Sequence, residues 1–215
     1  MPRPKKEMTN GLMASYGPKN FQHLLGTPGF SDTLLKNHFS LYEGYVKNTN
    51  QLLQELDRLL NEGKEASPAY AELSRRFGWE FNGMRLHEYY FGNMTRTPVK
   101  FSSDSELGIK IAEEFGSYQN WEKDFKATGA MRGIGWAALY YDLAGNRLLN
   151  VWIDEHNTGH PASCVLILIM DVFEHAFMTD YGVKRADYIT AFFKALDWKE
   201  AQSRYDTALL RATQT

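Results

Sequence analysis

The spacing of apolar residues changes character once along this 215-residue chain, and that change restricts the folds open to it. Before the polar, proline-containing stretch Asn93–Lys100, residues Val46, Leu52, Leu53, Leu56, Leu59 and Leu60 recur at helical intervals, behind a Ser31–Asp32 pair suited to cap a helix. Phe39 to Leu60 reads as one long amphipathic helix. Gly63, Ser67 and Pro68 interrupt it, and a second helical pattern runs from about Ala69 to Phe91, which predicts an antiparallel helical hairpin. After the polar stretch, Ser103 with Glu106 three residues on is a capping-box pattern for a helix through Phe115, and another helix is expected from Tyr118 to Met131. Then strand-like runs Trp136–Tyr141 and Arg147–Ile153 flank the turn sequence Leu143-Ala144-Gly145-Asn146, and Cys164–Met170 can add a third strand. Helix is expected to return from Val172 and to end in a segment from Ala191 to Leu210. The predicted class is α+β: a helical hairpin domain over residues 1–95, then a domain over 96–215 with a three-stranded antiparallel sheet flanked by helices.

Composition removes several function classes. With 43% hydrophobic and 23% charged residues the chain is neither disordered nor a coiled-coil rod. Twenty-four Lys plus Arg against 26 Asp plus Glu leave a net charge of −2, too balanced for a surface that neutralises phosphates, so no nucleic-acid partner is expected. No run approaches the roughly 18 apolar residues of a membrane span, so no membrane partner is expected either. The start MPRPKKEMTNGLMASYG has basic residues without the apolar segment of a secretory signal, making the cytoplasm the expected compartment. The single cysteine, Cys164, cannot form an internal disulfide and is expected to be a small buried hydrophobe.

Few residues are equipped for chemistry. Asp171 and His175 stand four apart after an apolar run, and on a helix that spacing would stack them on one face, either as a solvated pair or as ligands of one cation. His87, with Gly83 one turn before it and Phe91 one turn after, is either a core histidine bonded to a backbone carbonyl or part of a site. His38, Tyr42 and Tyr45 form one stripe on the first helix, which suits a core as well as a site.

Five stretches, in order, resemble one family. Asp171-Val172-Phe173-Glu174-His175-Ala176, followed by Asp180-Tyr181 and Lys184-Arg185-Ala186-Asp187-Tyr188, resembles the D-x-W-E-H-A, D-Y and R-x-x-Y signatures of the iron/manganese superoxide dismutases. Tyr45-Val46-Lys47-Asn48-Thr49-Asn50 is similar to that family's Y-V-x-N-L-N, and Leu86-His87-Glu88-Tyr89-Tyr90-Phe91 to its N-H-x-F-Y-W. Phe115-Gly116-Ser117 and Gly133-Ile134-Gly135-Trp136 are similar to its F-G-S and G-S-G-W, so the resemblance spans about residues 30 to 200.

The resemblance implies an antioxidant oxidoreductase that converts superoxide to oxygen and hydrogen peroxide at one iron or manganese ion per subunit, held by three histidines, an aspartate and a solvent molecule. His87, Asp171 and His175 fall inside the matching motifs. The family's first ligand precedes its gateway tyrosine by eight residues, whereas His38 precedes Tyr45 by seven; ungapped alignment would put Asn37 there, but an imidazole suits a redox metal better than an amide oxygen, so His38 is expected as the fourth ligand. Tyr45 and His156 are the implied catalytic residues, bonding the solvent ligand and relaying protons, with His156 at a position where many members have glutamine and Gly83 leaving it room. His160 matches no ligand motif. Leu41, Tyr42 and Met178 replace the residues of a usual cross-subunit histidine–tyrosine contact, and Phe91 and Phe173 replace tryptophans of the metal pocket while Trp136 remains. Lys36 and Arg185 are candidates for steering the anion. Glu174 is implied to bridge to His175 of another subunit, in a homodimer or homotetramer. The alternative is a non-catalytic structural or assembly subunit on the same scaffold.

Overall fold

The structure, a computed structural model, describes residues 15–212; the basic opening MPRPKKEMTNGLMA lies outside them. Helix α1 (Asp32–Asn61) begins seven residues before Phe39, because Ser31 accepts the Leu34 amide at 3.0 Å and Leu34, Leu35 and His38 extend the buried face backwards. Ser67 caps α2 (Pro68–Gly92), with Pro68 at its first position, where its missing N–H has no helical partner to lose. The two pack as the expected antiparallel hairpin.

The capping serine of α3 (Glu106–Phe115) is Ser105, which accepts from Gly108 N at 3.1 Å, and not Ser103, whose hydroxyl donates to Asp104. The chain turns so tightly here that a Cβ on Gly108 would lie 2.2 Å from the Ser102 carbonyl oxygen, and the start moves two residues along. Gly116, at φ 80°, closes α3, and Ser117 caps α4 (Tyr118–Gly129).

Strands β1 (Gly135–Asp142), β2 (Arg147–Asp154) and β3 (Cys164–Asp171) form an antiparallel sheet in the order β2-β1-β3. Asp142 pairs with Arg147 across the hairpin and Trp136 with Asp171 at the far end. Cys164, at the start of an edge strand, is half-exposed and not the buried hydrophobe expected.

Two helical expectations fail after β3. The chain leaves Asp171 as a bend with one 3-10 turn, Glu174–Ala176, before α5 (Met178–Tyr181) and α6 (Arg185–Lys194). The expected Ala191–Leu210 helix is broken between α6 and α7 (Trp198–Ala212), because 195–197 pairs with the stretch between the two halves. Thr95 N donates to Ala195 O at 2.9 Å and Asp197 N to Asn93 O at 2.7 Å, around a Met94–Leu196 bridge. One hydrophobic core runs from α1 and α2 into the sheet, and among the described residues no helix is long and apolar enough to cross a membrane.

Candidate metal centre

Three imidazoles from three elements converge on one carboxylate oxygen. His38 of α1 and His175 of the 3-10 turn place Nε2 at 3.2 and 3.0 Å from Asp171 Oδ2, and His87 of α2 places its Nε2 at 3.5 Å. One donor atom from each of the four lies within 4.8 Å of every other, a grouping that could hold one metal ion. His38, His87 and Asp171 are buried; His175 keeps 27% of its side chain exposed.

The backbone sets these groups. Asp171 Oδ1 accepts the Phe173 amide at 2.8 Å, which turns Oδ2 toward the histidines and brings His175 to it without a helix between them. Tyr188, bonded to Tyr90 at 3.1 Å, donates its hydroxyl to the Asp171 carbonyl. His87 Nδ1 lies 2.5 Å from Gly83 O; a carbonyl only accepts, so Nδ1 carries the hydrogen and Nε2 a lone pair. That Nε2 is one of two buried side-chain polar atoms without a hydrogen-bond partner among the described residues. An unpartnered buried lone pair aimed at an anionic oxygen is what a cation between them would satisfy.

Protonation agrees with that donor set. Burial pushes His38 and, more strongly, His87 below the usual histidine range. Burial alone would raise Asp171, but the charges and hydrogen bonds of His175 and His38 outweigh it and hold the carboxyl below the usual range. Neutral imidazoles at His38 and His87 beside a carboxylate suit a first-row transition ion.

A second chain of contacts borders the centre. Trp136 Nε1 donates to His156 Nδ1 at 3.1 Å, and His156 Nε2 lies 2.7 Å from the Tyr45 hydroxyl. Indole N–H is only a donor, so neutral His156 has its hydrogen on Nε2 and gives it to Tyr45 Oη. Tyr45 in turn stacks on the His87 ring, centroids 5.3 Å apart.

The family model for the iron/manganese superoxide dismutases, C-terminal domain, matches residues 103–204. A protein named superoxide dismutase [Mn] 2 from Haloferax volcanii is 35% identical over 183 residues, 85% of this chain and 90% of its own. A superoxide dismutase [Fe] from Methanothermobacter marburgensis is 33% identical over 83% of this chain and 89% of its own, and one from Aquifex pyrophilus 32% identical over 89% and 92%. The chain belongs to the iron/manganese superoxide dismutase family.

Iron- and manganese-named members of that family match with similar identity, so likeness does not choose the metal. At the first-helix position the structure brings His38 to the other three candidates and leaves Asn37 exposed. Helix α1 is regular throughout, and seven residues at about 100° each return close to the same face, whereas eight would end about 80° away. The seven-residue spacing therefore lets an unbulged helix present His38 and Tyr45 to one pocket.

Gly83 makes room for a different side chain from the one expected. A Cβ there would stand 2.4 Å from Tyr45 Cδ1, so the glycine admits the Tyr45 ring, and Tyr45 then reaches the His156 loop. Gly83→Ala is expected to destabilise the fold by about 1–3 kcal/mol through overpacking, read from denaturant unfolding of the metal-free protein.

Arg185 is engaged with backbone, donating to the carbonyls of Met131 and Gly133 at 2.5 and 2.8 Å, while Lys36 is exposed on α1. His160 stays away from the four, as expected, and Glu174 is exposed beside His175. Sequence reasoning missed Trp79, whose ring meets His156 edge-on at 4.8 Å and which no matched motif contains. It also missed the bond from Tyr188 to Asp171 O, although Tyr188 lies within the R-x-x-Y match.

Burial lowers His156 to about 4, from an ordinary value of 6.5. Above pH 6.5 both folded and unfolded chains hold it neutral; below, the unfolded chain takes up a proton that the folded one refuses. Stability from this group is therefore full above pH 6.5 and lost as pH falls toward 4, and His38 and His87 shift in the same direction. The denaturation midpoint of metal-free protein should drop steadily across that window; a flat profile would contradict neutral buried histidines.

Proposed function

We propose that this chain disproportionates superoxide to oxygen and hydrogen peroxide at a single iron or manganese ion held by His38, His87, Asp171 and His175. The observation that carries the reading is the convergence of three imidazole nitrogens on Asp171 Oδ2, with His87 Nε2 buried and unpartnered. When bound, the ion supplies alternate one-electron oxidation and reduction of superoxide. Asp171 offsets its charge, and the Gly83 carbonyl and Phe173 amide hold His87 and Asp171 in the orientation that binding needs. Trp136, Phe91 and Phe173, all buried, exclude bulk water from the surroundings.

Peroxide formation consumes two protons, and Tyr45 is the proposed group that handles them. Because His156 Nε2–H donates to Tyr45 Oη, the tyrosine's own hydrogen is left for a partner in the pocket. Burial pushes Tyr45 up to about 12, so the phenol is protonated at neutral pH. His156 orients Tyr45 but leads no further, since its other nitrogen faces an indole N–H that cannot accept a proton. Replacement protons then reach Tyr45 from the pocket side.

A homodimer or homotetramer in which Glu174 of one subunit bonds His175 of another accompanies this reading, supported by the exposure of Glu174, His175 and Met178 on one short segment. The test is to load the protein separately with manganese and iron, then measure metal content and superoxide consumption. One ion per subunit is expected, with one peroxide formed for every two superoxide ions consumed. A fully loaded protein that consumes no superoxide would favour the non-catalytic scaffold.

A further inference from the structure

His160 takes no part in the chemistry above, yet it is bonded at both ring nitrogens. Its Nε2 lies 2.8 Å from the carbonyl oxygen of His156, and its Nδ1 lies 3.0 Å from the hydroxyl of Tyr140 on β1. The carbonyl only accepts, so Nε2–H donates to it, and Nδ1 accepts from Tyr140. Burial pushes the Tyr140 phenol well above its ordinary range, which keeps it a donor.

The loop between β2 and β3 needs such a hold. Glu155, directly before His156, has φ 51° and Ser163 φ 60°, left-handed conformations that non-glycine residues disfavour. Gly159 has φ 97°, and a Cβ there would stand 2.8 Å from the Trp152 carbonyl oxygen. A backbone bent this way persists where its surroundings over-determine it.

We infer that His160 is a positioning residue for the proposed reaction: its bond to the His156 carbonyl, anchored on the sheet by Tyr140, fixes the backbone that aims His156 Nε2–H at Tyr45. The inference rests on the reaction proposed above for its kinetic consequence. Its structural consequence stands apart from turnover.

The test compares His160→Ala and His160→Gln with the parent in the full chain. Metal-loaded proteins are assayed for kcat and kcat/KM, and metal-free, ¹⁵N-histidine-labelled proteins are followed by NMR for exchange of the His156 Nε2 hydrogen. His160→Ala should keep its metal and lose about tenfold in kcat, as for other supporting residues of metal sites. Its kcat/KM should change little, because encounter with the anion is untouched while proton delivery is not. The His156 ring hydrogen should exchange about tenfold faster once its donor geometry loosens. Glutamine can donate an amide N–H to the same carbonyl and should restore most of both losses.

Should His160→Ala fail to fold, Tyr140→Phe, which removes the donor to Nδ1, decides the matter and should shift kcat and exchange the same way. An unchanged kcat, unchanged exchange, or loss of kcat together with metal would overturn the assignment. A parent protein that holds its metal and is inactive would refute the reaction, and exchange alone would then judge the placement of His156.

Discussion

Alanine at position 38 is expected to strip the protein of its metal. His38 is fully buried and is one of three imidazoles around Asp171 Oδ2, so its removal takes away a nitrogen donor and leaves a cavity beside the other three groups. Loss of supporting residues around metal sites already weakens binding by about 10–100-fold, so loss of a direct donor should exceed about 100-fold. Asn37→Ala is the control: its side chain faces solvent, and occupancy should not change. The measurement is metal per subunit after loading at limiting concentration and dialysis, with circular dichroism to show that the fold persists. Full occupancy in His38→Ala would remove it from the ligand set.

His156→Ala should give the opposite pattern: metal retained, turnover lost by about 10–100-fold. The truncation leaves Trp136 Nε1–H without its acceptor and Tyr45 Oη without its donor, while His38, His87, Asp171 and His175 all keep their donor atoms. The Tyr45 ring keeps its packing on Gly83 and His87 but loses the hydrogen bond that fixes its hydroxyl. His156→Gln, which can donate to Tyr45 from its amide, should recover part of the rate. Unchanged turnover in His156→Ala would take His156 out of the mechanism, and loss of metal would show that it supports the centre instead.

Much of this architecture could be read from local pattern, because the periodicities of α1, α2 and the β1–β2 hairpin are properties of neighbouring residues. What escaped depends on distant parts of the chain. Within Ala191–Leu210 the split has one local mark, Asp197, whose carboxylate accepts the Lys199 amide at 3.1 Å at the start of α7; the pairing of 195–197 with 93–95 has none, since the partners are about a hundred residues away. Asp171 and His175 meet through a bend set by Asp171's own acceptance of the Phe173 amide, which mimics the helical spacing without a helix. His87, Asp171 and His175 stood out because they fall in family motifs; His38 was reached by preferring an imidazole donor to the Asn37 amide, and the unbulged helix α1 is what brings it to the other three. The side chain that Gly83 accommodates could not be read at all, because spacing along α2 says nothing about which ring from α1 lies over it.

The burial of the centre has a consequence for how it is filled. Three of its four walls are sealed by interior packing and belong to segments far apart in the chain, with His38 and Asp171 separated by 133 residues. His175 is the wall with a window. An ion that arrives after the halves have closed must pass that window or wait for α1, α2 and the segment after β3 to part, a local opening governed by the stability of that region. Exchange of one ion for another in the folded protein is therefore expected to speed up on warming, read as release of the first ion when the second is in excess.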